Sequence, residues 1–290
     1  MFERVEQDGS GVHVHFANGR GGRADLLVAC DGFRSSVRGQ VAPDVQPVYS
    51  GYYLWRGAPN ESDLSPETRR TMFPYFSFFL ADQLQAAGYP ISVADDELRI
   101  GHRRYNFVWY RVADASKLKQ MCVDEHGHDY EFGVPPPLVR KDLIAQMRAE
   151  AETLLPPQYL DCLRHIDQPF FTPVYDFCSP RLVFGRVALV GDAASTPRPH
   201  IGFGVSKAAA EAQALAEALS NYDDINQALA VYNAARQPLS ERIVLHSRKL
   251  GTQLGVGIET DDDRKLAKIL QSPKGVLDWI GVPNFLAMRP

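Results

Sequence analysis

Three features of the 290-residue sequence predict an α/β protein of mixed α+β character, with a mainly antiparallel sheet inserted into it. First, two short apolar runs end in an acid and a glycine: Leu26 to Cys30 runs into Asp31-Gly32, and Val187 to Val190 runs into Gly191-Asp192. Runs of this length and composition read as strands buried on both faces. Second, Gly202 and Gly204 lead into an alanine-rich stretch where Val205, Ala208, Ala212, Leu215 and Leu219 recur at steps of three and four, the period of a helix packed on a sheet. Third, the sequence between the two corners turns aromatic and strand-like.

In chain order, Val12, Val14 and Phe16 alternate, Asn18-Gly19 supplies a turn, and the strand to Asp31 follows, so residues 1–43 open with a hairpin. His13 and His15 share the other, solvent-facing side of that alternation. Residues 44–176 carry strand-like runs at Tyr49 to Arg56, Phe73 to Leu80, Gly88 to Val93 and Arg104 to Val112, which form the inserted sheet. A helix is expected from Leu138 to Leu155, with Leu143, Met147, Ala151 and Leu154 on one face and Pro156-Pro157 ending it. Residues 177–250 return to the first domain, with two helical segments flanking Pro238, and residues 251–290 form a C-terminal tail.

Composition narrows the partners. A hydrophobic content of 45% with 23% charged residues is that of a globular chain without extended disorder. A net charge of -4 and the lack of Lys/Arg runs argue against nucleic acid. No apolar run approaches the roughly 20 residues of an integral membrane segment, and the start lacks a signal-peptide apolar core, so a cytoplasmic location is expected. Cys30, Cys122, Cys162 and Cys178 lack a C-x-x-C spacing and read as reduced thiols. His126 and His128, near Asp124 and Asp129, read as a solvated loop, and no metal site is expected.

A strand ending in a carboxylate, an irregular loop and a helix start with free amides make a pocket for a polar, partly anionic ligand. An ordinary strand–loop–helix joint with a solvated Asp fits the same residues. The second corner favours the ligand, because in an open α/β sheet ligands bind beyond the carboxyl ends of the strands, where two corners can serve one long cofactor.

These two blocks, "ADLLVACDGFRSSVRG" at 24–39 and "RVALVGDAASTPRPHIGFGVSKAAAEAQALAEAL" at 186–219, resemble the two downstream flavin fingerprints of the class A FAD-dependent aromatic hydroxylases. "TPRPH" at 196–200, "GYYLWRG" at 51–57 and "NFVWY" at 106–110 are most similar to the hydroxypyridine-hydroxylating members. The likeness runs from residue 1 to about 250. The family's opening G-x-G-x-x-G turn does not occur in these 290 residues, so the chain is expected to be an N-terminally incomplete version of a Rossmann-like FAD-binding domain.

The resemblance implies that Asp192, after Gly191, accepts a hydrogen bond from the FAD ribityl chain, while Asp31, Gly32 and Arg38 face the pyrophosphate. Capping of the next turn is the other reading of Asp31. Gly202, Phe203, Gly204 and Val205 would surround a helix N-terminus that stabilises negative charge at flavin N1 and the C2 carbonyl. Pro199 and His200 match positions beside the flavin ring, where a histidine titrating near neutral pH would touch substrate or tune its phenolic proton; an ordinary loop histidine is the other reading. Ser195 replaces the histidine that many relatives carry after "GDAA", and no role is transferred to it. Arg56, Trp109 and Tyr110, with Tyr105 and Phe107, are candidates for the wall of an aromatic pocket, and core packing is the other reading of these aromatic strand residues.

The implied function is hydroxylation of a small aromatic or N-heteroaromatic substrate with FAD, NAD(P)H and O2, through a C4a-hydroperoxyflavin. A non-catalytic remnant or substrate-binding module is the alternative, and a flavin reductase or dehydrogenase is a more distant one. A homodimer is left open.

Overall fold

A computed structural model describes residues 1–93, 95 and 97–280, and the chain in it divides into two compact units. One comprises Met1–Val48, Tyr175–Gly251 and the described residues from Trp279; the other comprises Tyr49–Val174 and Thr252–Asp278.

The first unit opens with β1 (Phe2–Asp8), β2 (Gly11–Phe16) and β3 (Gly21–Ala24), an antiparallel sheet in which the Asn18-Gly19 turn joins β2 to β3 as expected. The short β4 (Leu27–Ala29) follows, then α1 (Ser36–Val41).

The second unit is built on β5 (Val48–Gly57), with α2 (Pro66–Met72), β6 (Ser77–Ala81), β7 (Leu84–Ile91), β8 (Arg104–Val112), α3 (Ala115–Met121), α4 (Lys141–Leu154) and α5 (Pro157–Arg164) before β9 (Phe170–Cys178). Strands order as β9-β5-β8-β7-β6, and the β5–β8, β8–β7 and β7–β6 pairs are antiparallel. Register places Trp55 opposite Trp109, and Leu54 opposite Tyr110. Because neighbours along a strand face opposite ways, the sheet has two distinct apolar faces. Tyr52, Leu54, Val108, Tyr110, Val174 and Leu254 pack together on one. On the other, Trp55 meets Phe171 with ring centroids 5.6 Å apart, and Phe107 meets Tyr159 of α5 at 6.1 Å.

Two expectations shift here. The run from Phe73 to Leu80 becomes strand only from Ser77, because Ser65 caps and Pro66 starts a helix that continues to Met72, and Pro74 has no amide for a ladder. The helix expected from Leu138 begins at Lys141, since Val139 is extended.

The chain then returns to the first unit through β10 (Val183–Phe184), β11 (Val187–Leu189), β12 (Ser195–Thr196), α6 (Gly204–Asn221) and α7 (Ile225–Leu250), and ends its described part with α8 (Asp261–Leu270) and α9 (Pro273–Ile280). β11 pairs parallel with β4 and antiparallel with β10. Val187, Ala188, Leu189, Leu215, Ala218, Ala228, Leu229 and Tyr232 share one core, which joins this sheet to α6 and α7. β11 is buried on both faces as expected, but Val28 of β4 is 40% exposed, so β4 is not.

Pro238 does not divide two helices; it lies inside the 26-residue α7. An interior proline costs roughly 3 kcal/mol in an isolated helix. Here apolar burial on both sides of it, at Leu229 and Tyr232 before and Ile243 and Val244 after, offsets that loss. The stretch set apart as a tail is divided as well: Thr252–Asp278 clusters with the second unit, and residues 281–290 lie outside the described residues.

Candidate functional site

Parallel pairing of β4 with β11 brings their carboxyl ends together, and the Val190 amide continues the ladder by donating to the Ala29 carbonyl at 3.0 Å. Both acid–glycine corners therefore leave one edge of one small sheet. Gly32 and Gly191 turn there with φ of +79° and +67°, a conformation that favours glycine.

The two acids differ. The Asp31 carboxylate accepts hydrogen bonds from the Ser35 hydroxyl at 2.6 Å and the Val37 amide at 3.2 Å, so it holds the entry to α1. These bonds accord with the other reading of Asp31, capping of the next turn. The Asp192 carbonyl accepts the Thr196 hydroxyl at 3.3 Å, but its carboxylate has no hydrogen-bond or ion-pair partner among the described residues, and the residue is exposed. The protein crowded around this carboxyl still raises its pKa, with Lys207 opposing and Glu211 adding.

Arg38 is buried rather than open to a ligand. Its guanidinium donates to the Phe33 carbonyl at 2.7 Å and the Ala193 carbonyl at 3.2 Å, and lies 4.0 Å from the centre of the Phe177 ring. Burial pulls its pKa down, with Asp31 opposing. It ties the first corner to the second.

Beyond Asp192, the chain passes through a 3-10 turn at Pro199–Ile201 and left-handed Gly202 into α6. Phe203 occupies the N-cap without a side-chain cap, the first turn has no acidic residue, and Val205 is 85% exposed. A Cβ built on Gly202 or Gly204 would meet nothing within 4 Å. An uncapped helix start of this kind presents free amides and the positive end of the helix dipole.

The loop before it is anchored by charge. Arg198 donates to Asp176 at 2.6 Å, Arg248 donates to the other oxygen of the same carboxylate at 2.7 Å, and the Arg198 amide donates to the Ser247 hydroxyl. Asp176 is 1% exposed, so its charge is met by two guanidinium groups. Pro199 is exposed, but His200 is buried, and burial, assisted by the charge of Arg198, pushes its pKa down to about 3. The imidazole is thus neutral at physiological pH, which corrects the expectation that it titrates near neutrality.

In the second unit, Arg56 lines a cavity of about 530 Å3, together with Asn60, Arg104, Asn106, Gln168 and Phe170. The Arg56 Nε is buried without a partner. Tyr110 shares the Arg56 face of the sheet, and burial raises its phenol well above the ordinary value, with Tyr52 adding and Arg56 opposing. Trp109 is on the opposite face and fully buried, so these three aromatic-pocket candidates do not converge on one wall. In the His126–His128 loop, Asp124 takes both histidine amides and the Tyr130 hydroxyl, and no group suited to a metal occurs among the described residues.

Sequence reasoning passed over Asp176, Lys207 and Glu211. The i,i+4 spacing of the last two was visible, but it is equally the pattern of a solvated surface pair. Their burial was not visible.

A FAD binding domain-like family matches residues 49–176. Over 254 residues the chain is 28% identical to 2,6-dihydroxypyridine 3-monooxygenase of Paenarthrobacter nicotinovorans, covering 87% of this chain and 63% of that protein. It is 30% identical to a FAD-dependent urate hydroxylase of Klebsiella pneumoniae, covering 85% of this chain and 56% of that protein. The solved structure of 2,6-dihydroxypyridine-3-hydroxylase from Arthrobacter nicotinovorans superimposes with a TM-score of 0.82 at 27% identity, over 89% of this chain and 65% of the other. The chain thus spans less than two thirds of the length of these relatives. In sequence and fold together, the chain is similar to flavin-dependent aromatic hydroxylases over the span they share.

Proposed function

We propose that the chain carries the ribityl and ring-edge part of a FAD site and a substrate-binding sheet, and serves hydroxylation of a small aromatic or N-heteroaromatic ring with NAD(P)H and O2. The observation that carries this reading is the partnerless Asp192 carboxylate at a parallel strand end, in the same unit as an uncapped helix start. The family's relatives named above support it.

The residues present fit that cofactor. Asp192 can accept from a ribityl hydroxyl, and the amides of Gly204 and Val205 in the first turn of α6 can meet negative charge on the flavin ring, with open space where a side chain on Gly202 or Gly204 would otherwise stand. Gly32 and Gly191 turn the backbone at both strand ends, while Asp31 and Arg38 hold those turns from behind. Pro199 would line the ring. His200, held neutral, would shape that wall by packing and would not exchange a proton near pH 7.

Arg56 would hold an anionic hydroxyl of the substrate through its unmet Nε, with Tyr110 on the same face and Trp109 as backing. When bound and reduced by NAD(P)H, FAD supplies the activated oxygen; the chain's own groups orient the ring and exclude water.

The test is ring-stimulated NAD(P)H oxidation in the presence of added FAD, with the product identified by mass spectrometry. Hydroxypyridines are expected to stimulate and to be hydroxylated. Hydroxylation of benzoates alone would remove the heteroaromatic assignment, and a folded chain that binds rings but neither FAD nor NAD(P)H would be the non-catalytic binding module.

A further inference from the structure

We propose that Lys207 and Glu211 are positioning residues: their buried pair holds the Gly191 peptide groups in the turn that presents Asp192 to its ligand. The identity of that ligand rests on the flavin reading above; the positioning itself does not.

Lys207 lies in the first turn of α6, and Glu211 lies one turn on, on the same face. Both side chains are 0% exposed, with Nζ and carboxylate 3.0 Å apart. The Glu211 Oε2 also accepts the Gly191 amide at 2.8 Å, and Oε1 accepts the Ser240 hydroxyl of α7 at 2.6 Å. Lys207 Nζ donates in turn to the Gly191 carbonyl at 3.0 Å, an oxygen that also receives the Ala194 amide at 3.0 Å. The amide and the carbonyl of one left-handed residue are therefore both tied to one ion pair.

Stability alone does not explain this arrangement. Two charges withdrawn from water are generally no better than well-packed apolar side chains of the same volume. What apolar groups cannot do is meet the two polar peptide groups of Gly191, which lie past the last residue of β11 and, with φ at +67°, turn out of the strand. Asp192, the next residue, has no side-chain hydrogen bond or ion pair of its own among the described residues to fix it. Its position comes through the backbone, and so through Lys207 and Glu211.

The test uses the full chain with Lys207→Met/Glu211→Leu, which removes both charges together, and Glu211→Gln, which keeps an acceptor for the Gly191 amide. Hydrogen exchange is followed at residues 190–194 and, for comparison, in β4 and α7. The double variant is expected to exchange on the order of tenfold or more faster at the corner, with β4 and α7 as in the parent, and Glu211→Gln to stay nearer the parent. Dissociation of added FAD gives the second readout. The double variant should weaken it on the order of tenfold, and by no more than about twofold when Asp192→Ala is already present, because both changes act on one contact.

Unchanged exchange at the corner, or a uniform loss of protection across the core, would overturn the proposal. So would additive effects on FAD. If the parent chain takes up no FAD, the flavin reading fails and exchange alone decides the positioning. Should the double variant fail to fold, the exchange pattern of Glu211→Gln against Asp192→Ala decides it, since only the former touches the anchor.

Discussion

At the end of β4 the acid holds its own turn; at the end of β11 the acid is left free and the turn is held by someone else's side chains. Asp31 takes the Ser35 hydroxyl and the Val37 amide, whereas the Gly191 peptide groups are met by Lys207 and Glu211, and Asp192 keeps an open carboxylate. Two corners with nearly the same letters thus divide into one that builds structure and one that is available to a ligand. A strand-end carboxylate is open for binding when another group has taken over the local hydrogen bonds.

The sharpest way to break this contrast is to remove the support at the second corner. Glu211→Ala leaves Lys207 buried without its counter-ion, and unfolding free energy should fall by about 3–5 kcal/mol. Urea denaturation measures it, and a loss as small as that of a surface pair would show that the network is not closed to water. Next, Asp192→Ala should weaken FAD binding by about 1.5–3 kcal/mol while leaving the melting temperature within error of the parent. Asp31→Ala should do the reverse, lowering stability by about 1 kcal/mol through the lost cap with a smaller effect on FAD.

The smallest effect concerns pH. The Asp192 carboxyl titrates above its ordinary value of 3.8 in the folded chain, so the folded state holds a proton that the unfolded chain has released. Its contribution to stability is therefore lost as pH rises from 3.8 through the raised folded value, and is unchanged above it. Asp192→Asn should remove that slope from urea midpoints measured across acidic pH. A slope that survives the substitution belongs to another group.

Much of this frame was legible in the sequence. The aromatic run Arg104–Val112 is a strand over those same residues, and β11 is as buried as its composition implied. Period-two alternation, applied to Trp109 and Tyr110, already separates them onto opposite faces, although both were assigned to one pocket. Other features needed tertiary context. Nothing in "TPRPH" says that His200 is buried, and burial is what takes its pKa from near neutrality to about 3. Nor does the sequence show that α7 continues through Pro238, because helix-breaking is a local rule and packing against a core is not.

The most direct measurement is FAD titration of the parent chain, Asp31→Ala and Asp192→Ala side by side, with melting temperatures recorded for each. The account predicts that Asp192→Ala loses affinity on the order of tenfold or more at unchanged stability, and that Asp31→Ala loses stability with affinity nearly retained. Affinity lost at Asp31 and kept at Asp192 would contradict it.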